Sequence, residues 1–178
     1  MDRQLMRSLP ALVLAATIVY TVSVYPSLPA RMATHWGING QANGWAPREF
    51  GAWLLPGMMV FVWGLSLVRP RIGLVVSAIL TFEGVIQWAM LNVALGHPVD
   101  ITTIAYVGVG ALFALLGLAL SFARPRPQKA EGFLMATAGA FTIVAALVAR
   151  PPVAFVVMVT ATLAAAVGAV LLSRGRPR

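Results

Sequence analysis

The sequence predicts an all-α, polytopic membrane protein, with six transmembrane helices and one ordered extracytoplasmic loop between helices one and two. Three observations carry this prediction. Of 178 residues, 60% are apolar and only 10% charged, whereas ordinary soluble domains are roughly 25% charged. The apolar residues gather into six blocks of about the length that, at about 1.5 Å per helical residue, crosses a hydrocarbon core of about 30 Å. The blocks lack the alternating polarity of barrel strands. An unpaired backbone group in hydrocarbon costs several kcal/mol, so helix is the conformation left to them.

The blocks run from Pro10 to Tyr25, Gly51 to Val68, Ile72 to Leu95, Ile104 to Ala123, Phe133 to Ala149 and Val153 to Leu172. Pro26 and Pro29 stop the first. An even number of crossings puts both termini on one side of the membrane, and the basic residues say which side. Arg3, Arg7, Arg69, Arg71, Arg124, Arg126, Lys129, Arg174, Arg176 and Arg178 fall on one face, and Arg31, Arg48 and Arg150 on the other, ten against three. The positive-inside rule then places both termini in the cytoplasm and the 26 to 50 loop outside it. The net charge of +8 reports orientation, because it lies in short tracts at block ends, and no nucleic-acid partner is expected. Leu28-Pro29-Ala30 only loosely imitates a signal cleavage site, so the first helix is expected to be retained.

The tract Arg124 to Lys129 reads as a polar cytoplasmic connection, and Arg150-Pro151-Pro152 as the tight corner of a hairpin between helices five and six. Small residues four apart, Gly110 and Ala114 on the fourth helix and Ala161, Ala165 and Ala169 on the sixth, allow helices to approach closely, and the expectation is packing within the bundle. The chain divides into a helix-loop-helix module, residues 1 to 68, and a four-helix region, residues 69 to 178.

Residues 25 to 48 hold the most specific pattern. Asn39-Gly40 and Asn43-Gly44 are turn signals, because Asn and Gly tolerate a left-handed backbone. Trp36 and Trp45 flank those turns and suit the headgroup region. The expected object is a lid lying over the helices. The run Leu28-Pro29, Thr34-His35-Trp36, Gly40, Asn43-Gly44-Trp45 and Arg48, followed by Leu55-Pro56 in the next helix, resembles the domain of unknown function 1648 (DUF1648), the N-terminal module of Sdp-type bacterial immunity proteins. The resemblance covers about residues 10 to 65. It implies a membrane module that, in its best-known relatives, protects against a secreted peptide toxin and is coupled to membrane sequestration of a small repressor. Family members usually carry Pro, Asn and Asp where this chain has Ala33, Gly37 and Asn43. The last change removes a carboxylate that could serve a cation in that turn. The later helices lack the Arg-Asn…Gly-x-Arg-Thr signature of the immunity proteins.

Within the helices, Glu83 lies near the middle of the third block, where an acidic group costs on the order of 2.5–3.5 kcal/mol on insertion scales and demands a partner or a proton. Gln87, four residues on, shares its face, whereas Asn92 points about 180° away. His35 and His97 share a compartment with Glu49 and Asp100, but no metal-binding spacing appears, and no metal is expected. The chain has no cysteine. No nucleophile elbow, phosphate loop, dinucleotide fingerprint or paired catalytic carboxylates occur, so no enzymatic activity and no cofactor are expected.

The function expected is sensing of, or resistance to, an extracytoplasmic small ligand or membrane-active peptide. Trp36 and Trp45 would anchor the lid, His35 and Asn39 set its hydrogen bonds with Gly40, Asn43, Gly44 and Arg48, and Glu83 and Gln87 form a polar element beneath. The bilayer and a cytoplasmic regulator complete the expected partners. The alternative is a small proton-coupled transporter or permease subunit that uses Glu83.

Overall fold

The computed structural model describes residues 3–68, 73–123, 126–149 and 151–174. Arg69, Arg71, Arg124, Arg150, Arg176 and Arg178 of the charge tally, and hence the corner at Arg150, lie outside them. Among the described residues there are six α-helices: α1 (Arg3–Val24), α2 (Arg48–Val68), α3 (Gly73–Ala94), α4 (Ile101–Ala123), α5 (Arg126–Val148) and α6 (Pro151–Arg174). Between α1 and α2 lie a short 3-10 turn, Tyr25–Ser27, and an antiparallel pair, β1 (Arg31–Trp36) and β2 (Ala42–Pro47). The all-α description is therefore extended by one two-stranded sheet. Among the described residues, Ser8–Ser27, Val75–Ala94, Ile101–Ser121 and Ala130–Val148 are long and apolar enough to cross a membrane, and Val153–Ala165 is a shorter apolar helix.

Helix ends follow local chemistry more closely than apolar content. The third helix closes with Gly96 in the left-handed region (φ 84°). There Gly96 N–H donates to the Val93 carbonyl and His97 N–H to the Asn92 carbonyl, each at 3.0 Å. This is the paired-bond stop that glycine makes favourable. The fourth helix starts at Ile101, three residues before its apolar block, because Asp100 caps it: one carboxylate oxygen accepts Thr103 N–H at 3.0 Å and the other the Thr103 hydroxyl at 2.7 Å. Arg126 to Lys129, expected as a connection, belong to α5. Pro127 falls in the first helical turn, where its missing N–H removes no bond, and the Gln-Lys-Ala-Glu run that follows favours helix.

The chain forms two compact units, Met1–Ile104 and Ala105–Arg178. In the second, α4 and α5 touch backbone to backbone. A Cβ on Gly117 would lie 2.4 Å from the Ala136 nitrogen, and one on Gly139 would lie 2.5 Å from that of Ala114. Only glycine permits this approach, so the Gly110/Ala114 row packs inside the unit. The helices α5 and α6 also pack together, with Leu134 against Gly168.

The first unit takes α3 in with the 1 to 68 module. At one level Leu14, Met59, Val76 and Leu80 form a buried cluster of α1, α2 and α3. At the other, Leu28, Met32, Ala52, Ala89, Met90, Leu91 and Ile101 are buried together, with Tyr25 and Trp36 packed against them. The sheet thus seats its apolar side on the ends of the three helices.

Candidate functional site

The sheet reverses at Ile38-Asn39-Gly40. Gly37 N–H donates to the Gln41 carbonyl and Gly40 N–H to the Gly37 carbonyl, both at 2.9 Å, and Gly40 adopts φ 79°. This is a three-residue hairpin loop with glycine at its left-handed position. The Asn39 side-chain oxygen accepts Gln41 N–H at 3.2 Å, an Asx bond that fixes the turn. Gly40 rests on Thr102.

Asn43-Gly44, expected as a second turn, lies inside β2. Gly44 is a glycine for a different reason: it stands opposite His35, and a Cβ there would come within 2.8 Å of the His35 Cβ. The register slips on both sides of His35, so each strand carries an extra residue, Thr34 on β1 and Asn43 on β2. The slip brings His35 and Asn43 together, and His35 Nδ1–H donates to Asn43 Oδ1. That bond leaves Nε2 as the acceptor of the neutral ring. Gly37, the second departure from the family pattern, also has a local cause. A Cβ there would sit 3.0 Å from the Asn39 side-chain oxygen and 3.2 Å from the Asn43 amide nitrogen.

The two tryptophans have different roles. Trp36 is half-buried against the Met32–Leu91 cluster, whereas Trp45, opposite Ala33, is 56% exposed. The hairpin therefore has an inner side, Met32, Thr34 and Trp36, and an accessible side that carries His35, Ile38, Asn39 and Trp45.

Arg48 ties the hairpin to α2. Its backbone N–H donates to the Ala30 carbonyl at 2.9 Å, its Nη1 to the Leu28 carbonyl at 3.3 Å, and its guanidinium lies 5.1 Å from the centre of the Tyr25 ring. Tyr25 in turn leans on Trp53, with centroids 6.1 Å apart. A cation at a helix N-terminus opposes the macrodipole, and these contacts offset it. Glu49, 3.6 Å away, is largely exposed and contributes little.

Beneath the hairpin the polar element centres on Gln87, which is completely buried. Its amide nitrogen donates to the Ala52 carbonyl at 2.8 Å and to Thr21 Oγ1 at 3.1 Å. In a helix the Ala52 carbonyl would accept the N–H of residue 56, but residue 56 is proline and has none. Pro56 frees a carbonyl in α2, and Gln87 of α3 fills it while holding Thr21 of α1. One side chain thus joins three helices. Asn92, off that face, adds a second link by donating to the Tyr20 hydroxyl at 2.8 Å. The sequence signal for the first link was the four-residue spacing from Ala52 to Pro56 opposite a lone amide. The contributions of Thr21, Tyr20 and Tyr25 carry no comparable signature.

Glu83 is only partly buried and one of its oxygens, Oε2, is enclosed. Asp100 serves as a helix cap and His97 follows the α3 stop, and among the described residues no group of three or more His, Asp or Glu gathers as a metal ion requires.

Residues 12–60, which span most of α1, the hairpin and the first half of α2, match the model of the family described as Domain of unknown function (DUF1648). No curated protein and no solved structure matches the chain.

Proposed function

Starting from its DUF1648 assignment, carried by residues 12–60, we propose that this chain is a non-enzymatic, multi-pass protein of the bacterial inner membrane, resembling the Sdp-type immunity proteins. It crosses six times with both termini in the cytoplasm, and its hairpin faces outward to recognise a membrane-active peptide. The observation that carries this reading is the two-sidedness of the hairpin. One side is buried on α1 to α3, and the other presents Trp45 and Ile38, both more than half exposed, beside His35 and Asn39. An apolar and aromatic surface with a few hydrogen-bonding groups suits an amphipathic peptide at the headgroup level. Arg48 and Gln87 support the reading, because they make the hairpin and three helices one mechanical unit through which an outer contact reaches the bundle and any cytoplasmic regulator.

The test uses cells that express the wild type or the double variant His35→Ala/Trp45→Ala, challenged with a panel of secreted bacterial membrane-active peptides. The wild type is expected to protect against at least one of them, and the variant to lose that protection while inserting at the wild-type level. Trp36 is not a suitable target, because its removal also damages the core. Undiminished protection by the variant contradicts the reading.

A second reading, proton-coupled transport, is favoured by the enclosed Glu83 oxygen. Proton-driven flux in reconstituted liposomes that disappears in Glu83→Gln would replace the first reading with the second.

A further inference from the structure

Among the described residues, two oxygens inside the α1 to α3 bundle have no hydrogen-bond partner: Gln87 Oε1 and Glu83 Oε2. Gln87 is 0% exposed, and both hydrogens of its amide are committed, one to Ala52 and one to Thr21. Its Oε1 can only accept, and an ionised carboxylate can only accept. The two residues lie four apart on α3, one turn along one face. A single hydrogen between them would satisfy both, and without it two acceptors are left unpaired on one face of α3 in a medium of low polarity.

Among the described residues no basic group is placed to neutralise a carboxylate here. Between Ser8 and Val24, α1 carries no ionisable side chain except Tyr20, whose hydroxyl is used by Asn92. Beyond Glu49, α2 has none, and α3 has none besides Glu83. Arg48 and Glu49 sit at the first turn of α2, and Arg31 and His35 lie on the exposed side of β1.

We propose that Glu83 and Gln87 form a proton-binding site, in which Glu83 Oε2–H donates to Gln87 Oε1 and thereby fixes which way the Gln87 amide faces. Loss of the proton turns that contact into repulsion between oxygens. The amide then rotates to offer its hydrogens to Glu83, and its oxygen meets the Ala52 carbonyl, so the link to α2 breaks. The site is a two-position latch on the helix that carries the hairpin. It goes beyond the peptide-recognition reading and does not depend on it.

Infrared difference spectroscopy of the full-length protein in liposomes tests this at neutral pH. The difference between wild type and Glu83→Gln, whose amide replaces the donating O–H, is expected to show loss of a protonated-carboxyl band. In the Pro56→Ala background, which keeps the Ala52 carbonyl bonded, Gln87→Leu is expected to move that band to higher wavenumber as the acceptor is removed. Carboxylate bands in the first difference overturn the proposal, and so does a protonated band that Gln87→Leu leaves in place. Neither readout involves a hairpin ligand, so failure here is distinguishable from failure of the peptide-recognition reading.

Discussion

Replacing Gln87 by Leu is expected to destabilise the protein by about 1–3 kcal/mol, the cost of leaving a buried acceptor without its donor. The loss is specific because of Pro56. In an ordinary helix the Ala52 carbonyl would keep its intrahelical bond whatever happened at position 87. Here the N–H of residue 56 is missing, Gln87 supplies a donor in its place, and in a bilayer no water can substitute. Pro56→Ala restores an N–H four residues from Ala52, so Gln87→Leu is expected to cost less in that background, with an interaction energy on the order of 1–2 kcal/mol. Reversible unfolding in mixed micelles of the wild type, both single variants and the double variant closes the cycle. Strict additivity would mean that Gln87 and Pro56 act independently, against the geometry of a 2.8 Å bond to the freed carbonyl.

Arg48→Ala is expected to detach the hairpin while leaving the helices in place. The substitution removes a charged donor from the Leu28 carbonyl and a cation from the face of Tyr25, together worth about 1–3 kcal/mol. The readout is local: limited proteolysis at the Gly37–Gln41 turn should accelerate in Arg48→Ala. Arg48→Lys should behave almost as badly, because an ammonium cannot both stack on a ring and reach the carbonyl with a planar fork. Glu49→Gln should change nothing, since that carboxylate is exposed and its ion pair with Arg48 is long at 3.6 Å. Equal cleavage rates in the wild type and Arg48→Ala would remove Arg48 from its anchoring role.

Much of this architecture was legible because hydrocarbon imposes strict chemistry on a sequence. Long apolar runs report helices, and the helix α3 ends at Ala94, one residue from the end of its block. The apolar criterion failed at polar ends, where Asp100 extends α4 outward and the Gln-Lys-Ala-Glu run carries α5 back to Arg126. In the hairpin, Asn39-Gly40 was readable as a turn, since Gly40 needs the left-handed backbone (φ 79°). Asn43-Gly44 has the same letters and another cause. Gly44 clears space for the His35 side chain, a cross-strand relation that no local pattern encodes. Trp36 and Trp45 looked equivalent, and the bulges beside His35 decide which of them is buried. Beneath the hairpin the sequence points to Glu83 and Gln87, to Glu83 first for its cost in hydrocarbon, and in the structure it is Gln87 that makes the contacts across the helices. The reason lay on another helix, in Pro56, and a partner across space is what a linear reading reaches last.

The hairpin is proposed to stand on the outer side of the membrane, as the recognition element of a bundle that crosses it six times. Because the chain contains no cysteine, a single one can be placed at Gln41 in the exposed turn, or at Gln128 in the Arg124 to Lys129 tract, and probed in intact cells with a membrane-impermeant maleimide. Prompt labelling is expected at position 41, and labelling at position 128 only after the cells are opened. Labelling at 128 in intact cells with 41 protected until lysis would invert the topology and contradict the claim.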